Sequence, residues 1–411
     1  MNRKQQRTIK ETLQILLLLI IVGLFIFGNL QYTAKNPGGN DFLVHWVGTQ
    51  SFVKEGISPY SDNVALRIQN LVYGRPAQAG EHELRVAYPF YSVFIFLPFS
   101  LIDDFTVARA LWMTALEFLI IFSTIMMIRM VNWKPKFLIT FLIIVFSLFW
   151  YHGLRSIING NAVVLILFLI ILSIYAIIHK QDELAGICLA FITIKPQVVF
   201  AFIIFLVFWS LSNRRYKVIF WFFGSLIALI VLGLFIMPTW PMEFIREVFR
   251  YPSYNPPGTP ATALAEILPG IGRQLGIILS VVSALILLVE WFFGRYSREN
   301  KFIWISSLTL AMGQWLNVQT DPGNFLIMFP AIILILRIIE DRWRNSGQWI
   351  ILLFLSVLFF IPWIIFIRTI DFGYQPLQNP IMFFPVPLML IIGLFWVRWW
   401  VKNPVTDIIN S

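Results

Sequence analysis

Residues 184–210 read LAGICLAFITIKPQVVFAFIIFLVFWS, and Lys195-Pro196 in the middle of this apolar run decides how the whole chain is threaded. A run of this length would cross a hydrocarbon core about 30 Å thick as one helix. Proline, however, removes a helix hydrogen bond, and lysine adds a charge that is costly in lipid. Two threadings follow: one span, or two short helices meeting at a hairpin tip. With a hairpin, the clusters Arg129/Lys134/Lys136, Lys180, Arg214/Arg215/Lys217, Arg295/Arg298/Lys301, Arg337/Arg342/Arg344 and Arg398/Lys402 share one side with Arg3, Lys4, Arg7 and Lys10. With one span, every cluster after Ser210 changes sides. Short loops rich in Lys and Arg stay in the cytoplasm, so the sequence predicts the hairpin and places both termini there.

Outward from that run, apolar stretches recur through all 411 residues; 58% of them are hydrophobic and only 13% charged. With a mean hydropathy of +0.78, this composition excludes a soluble domain. Lipid offers no partner for unpaired backbone groups, so the expected fold is all-α: one polytopic membrane domain over residues 1–411. About twelve crossings are predicted, at residues 12–30, 106–130, 137–151, 162–179, 184–194, 197–210, 217–237, 274–294, 302–318, 324–340, 348–367 and 381–400. The first run resembles a signal peptide in its basic flank, but it is too long and no small-residue cleavage site follows. The net charge of +10 lies in short loops between spans, where it sets topology rather than binding nucleic acid. A single cysteine, Cys188, excludes a disulfide framework within the chain.

Two predicted outer loops stand out by length, residues 31–105 and 238–272. In the first, residues 42–54 and 86–101 read as surface helices whose apolar residues would lie on the outer leaflet. In the second, YNPPGTP at residues 254–260 is too rich in proline for a helix.

Few ionisable residues fall on the outer side. Asp41, after Gly38-Gly39-Asn40, is either a helix N-cap or a general base. His45, one turn on, would hydrogen-bond that carboxylate or anchor the helix at the interface. Lys195 is either a snorkelling lysine or, if the tip faces a cavity, a phosphate ligand. Arg155, Asn159 and Asn161 fall in a very short outer loop and would line the same cavity, although turn chemistry also accounts for Asn159-Gly160-Asn161. Asp321, in the run Gln319-Thr320-Asp321-Pro322-Gly323-Asn324, is a carboxylate at a routine helix start. No glycine-rich phosphate loop or Ser-His-Asp arrangement occurs, and His45, His82, His152 and His179 show no metal-ligand spacing.

Taken in order, several pieces resemble the polyprenyl-phosphate-dependent glycosyltransferase family 87 of the GT-C superfamily. Asp41-Phe42, His45-Trp46 and Gly56-Ile57-Ser58-Pro59-Tyr60 are similar to its acidic first-loop signature and trailing Gly-x-x-Pro-Tyr. Tyr88-Pro89 through Leu97-Pro98 is similar to a Tyr-Pro-Pro run with a distal proline. Asn159-Gly160-Asn161 and Ile194-Lys195-Pro196 resemble the Gly-Gln-x-Asn and Lys-x-x-Pro elements. These pieces cover about the first 210 residues. Between Thr320 and Pro330 the family often carries histidines, whereas this chain has Asp321-Pro322-Gly323-Asn324.

The resemblance implies a GT-C-type helical bundle in the plasma membrane with an extracytoplasmic active site. It implies transfer of mannose or another hexose from a polyprenyl-phosphate donor to a hydroxyl of a glycan or glycolipid acceptor, with inversion. Asp41 would be the base, and Lys195 and Arg155 would hold the departing phosphate without a metal or other cofactor. His45, Tyr88, Asn159, Asn161, Asp321 and Asn324 would form the cavity. A transporter or flippase for lipid-linked or oligosaccharide substrates is the competing class, and a membrane assembly subunit without activity is a third. A transporter predicts matched halves or charges at the midplane of several spans, whereas here the charges gather at the outer ends.

Overall fold

The computed structural model describes residues 3–370 and 378–402. In chain order the helices are α1 Arg3–Lys35, α2 Asn40–Glu55, α3 Asp62–Tyr73, α4 Val93–Ser100, α5 Phe105–Met130, α6 Phe137–Phe149, α7 Tyr151–Asn159, α8 Val163–Ile178 and α9 Asp182–Ile192. They continue with α10 Pro196–Ser212, α11 Tyr216–Ile236, α12 Trp240–Tyr254, α13 Pro260–Ile267, α14 Gly272–Gly294, α15 Glu299–Leu316, α16 Phe329–Thr369 and α17 Pro385–Lys402. α16 is broken at Arg344, whose φ of 45° and ψ of −115° leave the helical region. Among the described residues, 7 helices are long and apolar enough to cross a membrane, or 8 if the α6–α7 pair, bent by 52°, is one span. Each of the twelve predicted stretches coincides with a helix, but α8 and α10 are short apolar helices and α9 has only 11 residues.

The threading question is answered at the ends of these short helices. Arg215, just before α11, forms an ion pair with Asp182 at the start of α9 and donates to the Ile177 carbonyl at 2.7 Å; Lys217 reaches Glu183 at 3.2 Å. α9 and α10 therefore run out and back, and Lys195 is the tip of a hairpin. Further polar contacts tie the helices at this basic end. Asn213 donates to the Arg295 carbonyl at 2.6 Å, Trp133 to Glu340, and Arg398 pairs with Glu290 at 2.5 Å.

The opposite end is built from the long loops. α2 begins where the sequence places a surface helix, but residues Phe42 to Thr49 are buried rather than turned to a leaflet. Their cover is aromatic: Phe42 stacks on Trp112 of α5 (5.6 Å) and on Phe105 (5.9 Å) and meets Phe99 of α4 edge-on (6.3 Å). The second predicted surface helix starts at Phe90, as a short 3-10 turn leading into α4, rather than at Val86. α12, in the second loop, is pinned to the first by polar contacts, of which the Arg85–Glu247 pair is buried. Arg85 reaches Glu247 (2.6 Å) and Asp62 (2.6 Å), Arg250 reaches Glu83 (2.7 Å), and Ser58 donates to Glu243 (2.5 Å). The outer side of α12 leaves Met242 and Phe249 exposed, at 74% and 82%. An isolated bridge, with Gly258 N–H donating to the Gln319 carbonyl at 2.6 Å, ties the second loop to the segment before Asp321.

Candidate active site

Between these loops and the hairpin tip lies a cavity of about 520 Å³. Asp41, His45, Tyr88, Arg155, Asn159, Lys195 and Asp321 line it, together with His82, Arg85, Phe244, Tyr251 and Asn255. Residues from six separate stretches meet here, and two glycines allow the close approach. Gly160 ends α7 with φ +70°, and a Cβ there would lie 2.4 Å from Phe42 Cβ, so the α7 terminus rests directly on the start of α2. Gly39 precedes α2 with φ +77°, and a Cβ there would strike the Arg109 guanidinium at 2.4 Å. Arg109, fully buried, uses that space to donate to the carbonyls of Asn36 (2.7 Å) and Ile158 (3.0 Å), clamping the α1–α2 turn to α7.

Asp41 lies in the first turn of α2, but it is not the cap. The N-cap position is Gly39, with no side-chain hydrogen bond, so the Asp41 carboxylate is left to the cavity. Asn159 hydrogen-bonds it. Burial, and then the Asp321 charge, push Asp41 up from 3.8 to about 6, against the pull of Lys195 and Arg155. Asp321 plays a different part. Its side chain caps the following turn by accepting from Gly323 N–H (2.7 Å), as a routine helix start would. It also grips Arg155 through Nε (2.8 Å) and Nη2 (3.4 Å). Burial alone would raise Asp321, but Arg155, the Gly323 N–H and Lys195 together outweigh it and hold the carboxylate below its ordinary range. The two acids are thus driven apart, one a permanent anion and one able to exchange a proton near neutrality.

Lys195 is 5% exposed, so it faces the cavity rather than reaching for bulk water. It donates to Asn161 Oδ1 (2.8 Å) and lies 5.7 Å from the Tyr88 ring centre. Asn161 is therefore the seat of Lys195, beneath the cavity wall; its Oδ1 also accepts from Val163 N–H (3.0 Å). Arg155 and Asn159 do not sit in a loop as the sequence reading placed them; both belong to α7, which lines up one turn apart the two side chains that reach Asp321 and Asp41. His45 does not hydrogen-bond Asp41 either. Its ring stacks on Phe96 (4.5 Å) and meets Tyr88 at a tilt (4.1 Å), and burial pulls it down to about 3, so it is a neutral wall. Asn324 lies behind the cavity, donating to Gln319 Oε1 at 3.1 Å. Among the described residues, no three His, Cys, Asp or Glu side chains gather as a metal site would require.

The wall formed by His82, Tyr251 and Asn255 was not singled out from the sequence. Its one signal was the unusual length of the second outer loop, which supplies two of the three.

An all-helical membrane protein with buried acids and a buried lysine converging on one recessed cavity has the build of a membrane-embedded transferase. The model of glycosyltransferase family 87 matches residues 87–316, more than half of the chain, and the chain belongs to that family. It is a membrane glycosyltransferase. The match takes in Tyr88, Arg155, Asn159, Asn161 and Lys195, whereas Asp41 lies well before it and Asp321 just after it. No curated protein matches the chain.

Proposed function

We propose that this cavity transfers a hexose, mannose or a close relative, from a polyprenyl-phosphate-linked donor to a hydroxyl of a glycan or glycolipid acceptor, with inversion. Asp41 takes the proton of the acceptor hydroxyl as its oxygen bonds to the anomeric carbon. The anomeric C–O bond to phosphate breaks, its electron pair leaves with the polyprenyl phosphate, and Lys195 stabilises the added charge. Arg155 is largely neutralised by Asp321, so Lys195 carries most of that task. The cavity end faces outward from the cytoplasm in this reading, with both termini cytoplasmic and about twelve crossings of the plasma membrane.

The observation that carries the reading is the pairing, in one cavity, of an uncapped carboxylate raised to about 6 with a buried lysine seated for an anion. The test is incubation of the purified protein in lipid nanodiscs with radiolabelled polyprenyl-phosphate hexoses and a membrane extract as acceptor. Label passing to the acceptor with the anomeric configuration reversed is expected. No transfer from any donor would overturn the proposal.

A further inference from the structure

The same cavity holds a group of polar side chains that proton and phosphate handling do not use. His82 follows α3, Tyr251 and Asn255 close α12, and Thr320 precedes Asp321; all four line the cavity. The Leu84 N–H donates to His82 Nδ1 at 2.9 Å, which fixes the ring as the tautomer carrying its proton on Nε2. Burial keeps that imidazole neutral by pulling it down to about 4. Its Nε2 meets the Asn255 amide nitrogen at 3.4 Å, a contact between two donors that satisfies neither. With the amide turned over, Asn255 accepts from His82 and its NH₂ is released instead. In both arrangements the pair keeps an N–H donor for an entering oxygen.

Tyr251 accepts from Asn255 at 2.8 Å and hydrogen-bonds Thr320. Behind them the rings form an aromatic corner: His82 meets Tyr254 edge-on at 5.0 Å, and Tyr254 meets Tyr251 at 5.3 Å. The nearby cations are already matched, Arg85 by Glu247 and Asp62 and Arg250 by Glu83, so this wall suits an uncharged ligand. Fixed donors, hydroxyls and aromatic faces together fit a sugar ring, whose hydroxyls need partners and whose C–H faces need apolar contact.

We infer that His82, Tyr251, Asn255 and Thr320 form the subsite for the acceptor's saccharide, an uncharged hydroxylated ring held beside Asp41. The assignment to the acceptor rests on the transfer proposed above. Inversion brings the entering hydroxyl to the face of the anomeric carbon opposite the leaving phosphate. The phosphate belongs with Lys195, and the acceptor belongs with the hydroxyl-binding group that adjoins the base Asp41 through Tyr251. Tyr251 is close enough to Asp41 for burial and that carboxylate together to push its phenol up to about 12, so the subsite and the base serve one reaction volume.

The experiment is saturation-transfer NMR of the nanodisc-embedded protein with methyl glycosides of mannose, glucose and galactose, which need no turnover. Ring-proton signals with at least one glycoside are expected for the wild type and for Lys195→Ala. They should be lost in His82→Ala and Asn255→Ala, while His82→Gln, which keeps an N–H donor, retains them. Unchanged melting temperatures confirm that each variant is folded; if an alanine variant is not, the comparison rests on His82→Gln against His82→Leu. Signals that survive in the folded alanine or leucine variants, that vanish equally in Lys195→Ala, or that are absent in the wild type with all three glycosides would overturn the subsite. Where a donor supports transfer, His82→Ala should raise the acceptor KM about ten- to a hundredfold, the loss of one hydrogen bond to a buried partner. Absence of transfer from every donor defeats the glycosyl-transfer reading, and the glycoside measurement then still decides whether the wall binds sugar.

Discussion

Replacing Asp41 by asparagine separates chemistry from architecture. Asn keeps the shape and the bond with Asn159 while removing the group that accepts a proton. Because Gly39 and not Asp41 occupies the cap position, no capping bond is lost. A carboxylate whose pKa rises on folding from 3.8 to about 6 is disfavoured as the anion in the folded state. Below the lower value both states are protonated and the group is neutral for stability. As pH climbs past 3.8 and then past about 6, the folded protein comes to bear the full cost. That cost is at most about 3 kcal/mol above pH 6, at roughly 1.4 kcal/mol per pH unit. Loss of the favourable charge at a helix N-terminus would take back about 0.3–1 kcal/mol. Asp41→Asn should thus melt at or above the wild-type temperature at pH 7.5, and transfer should fall by about a hundred- to ten-thousandfold. His45 is a neutral ring between Tyr88 and Phe96, so it offers no rescue, and the same loss is expected in an Asp41→Asn/His45→Ala background. Near-normal transfer with normal melting would refute the role of the carboxylate. A fall in melting temperature matching the fall in rate would make Asp41 structural.

Wild-type transfer should rise with pH up to about 6 and then level, because Asp41 acts only when deprotonated and its pKa lies there; a rate flat from pH 5 to pH 7 contradicts it. Lys195→Ala should weaken use of the donor by about ten- to a hundredfold, the loss of one hydrogen bond to a charged group, with folding retained; an unchanged donor KM returns Lys195 to a purely structural role. Gly160→Ala should lower stability by roughly 1–3 kcal/mol, because its φ of +70° disfavours a side chain and the new Cβ would lie 2.4 Å from Phe42, and melting in detergent reads the effect. A thiol-labelling reagent that cannot cross the membrane should reach a cysteine placed at Asn255 from outside and one at Arg215 only after permeabilisation. The reverse pattern would invert the proposed orientation.

The helices were legible because lipid forces a long apolar run on each of them, and the Lys195-Pro196 break was legible because it offends that rule. The contact of Arg215 with Asp182 confirms the hairpin that charge counting favoured. Depth was not legible: the predicted 184–194 stretch has the length of α9, but hydropathy does not say that its tip lies inside the protein. Asp41, Lys195, Asn159 and Asp321 could be chosen from sequence as polar residues at outer ends. Their pairing could not, because Arg155–Asp321 and Lys195–Asn161 join residues far apart in the chain through packing alone. The burial of α2 was misread because a helix covered by Phe96, Phe105 and Trp112 has the same composition as one covered by lipid tails. His82 and Asn255 carried no pattern, since a hydroxyl-binding wall needs only ordinary polar residues brought together by two loops.

The shortness of α9 carries one more consequence. Eleven residues rise only about 16 Å, half the roughly 32 Å of the 21-residue α11 that starts beside it. The ammonium at the hairpin tip therefore stands sunk beneath the outer rim of the bundle, like a hook set partway down a well. A lipid-borne phosphate can be drawn from headgroup height down to such a hook from the side while its tail stays among the acyl chains. A water-soluble sugar nucleotide carries two phosphates and a base, and it would have to bring all of them down from above. On the proposed reading, altitude sorts donors before any contact with the sugar does, and lengthening α9 by one turn, about 5.4 Å, would raise the hook and relax that choice.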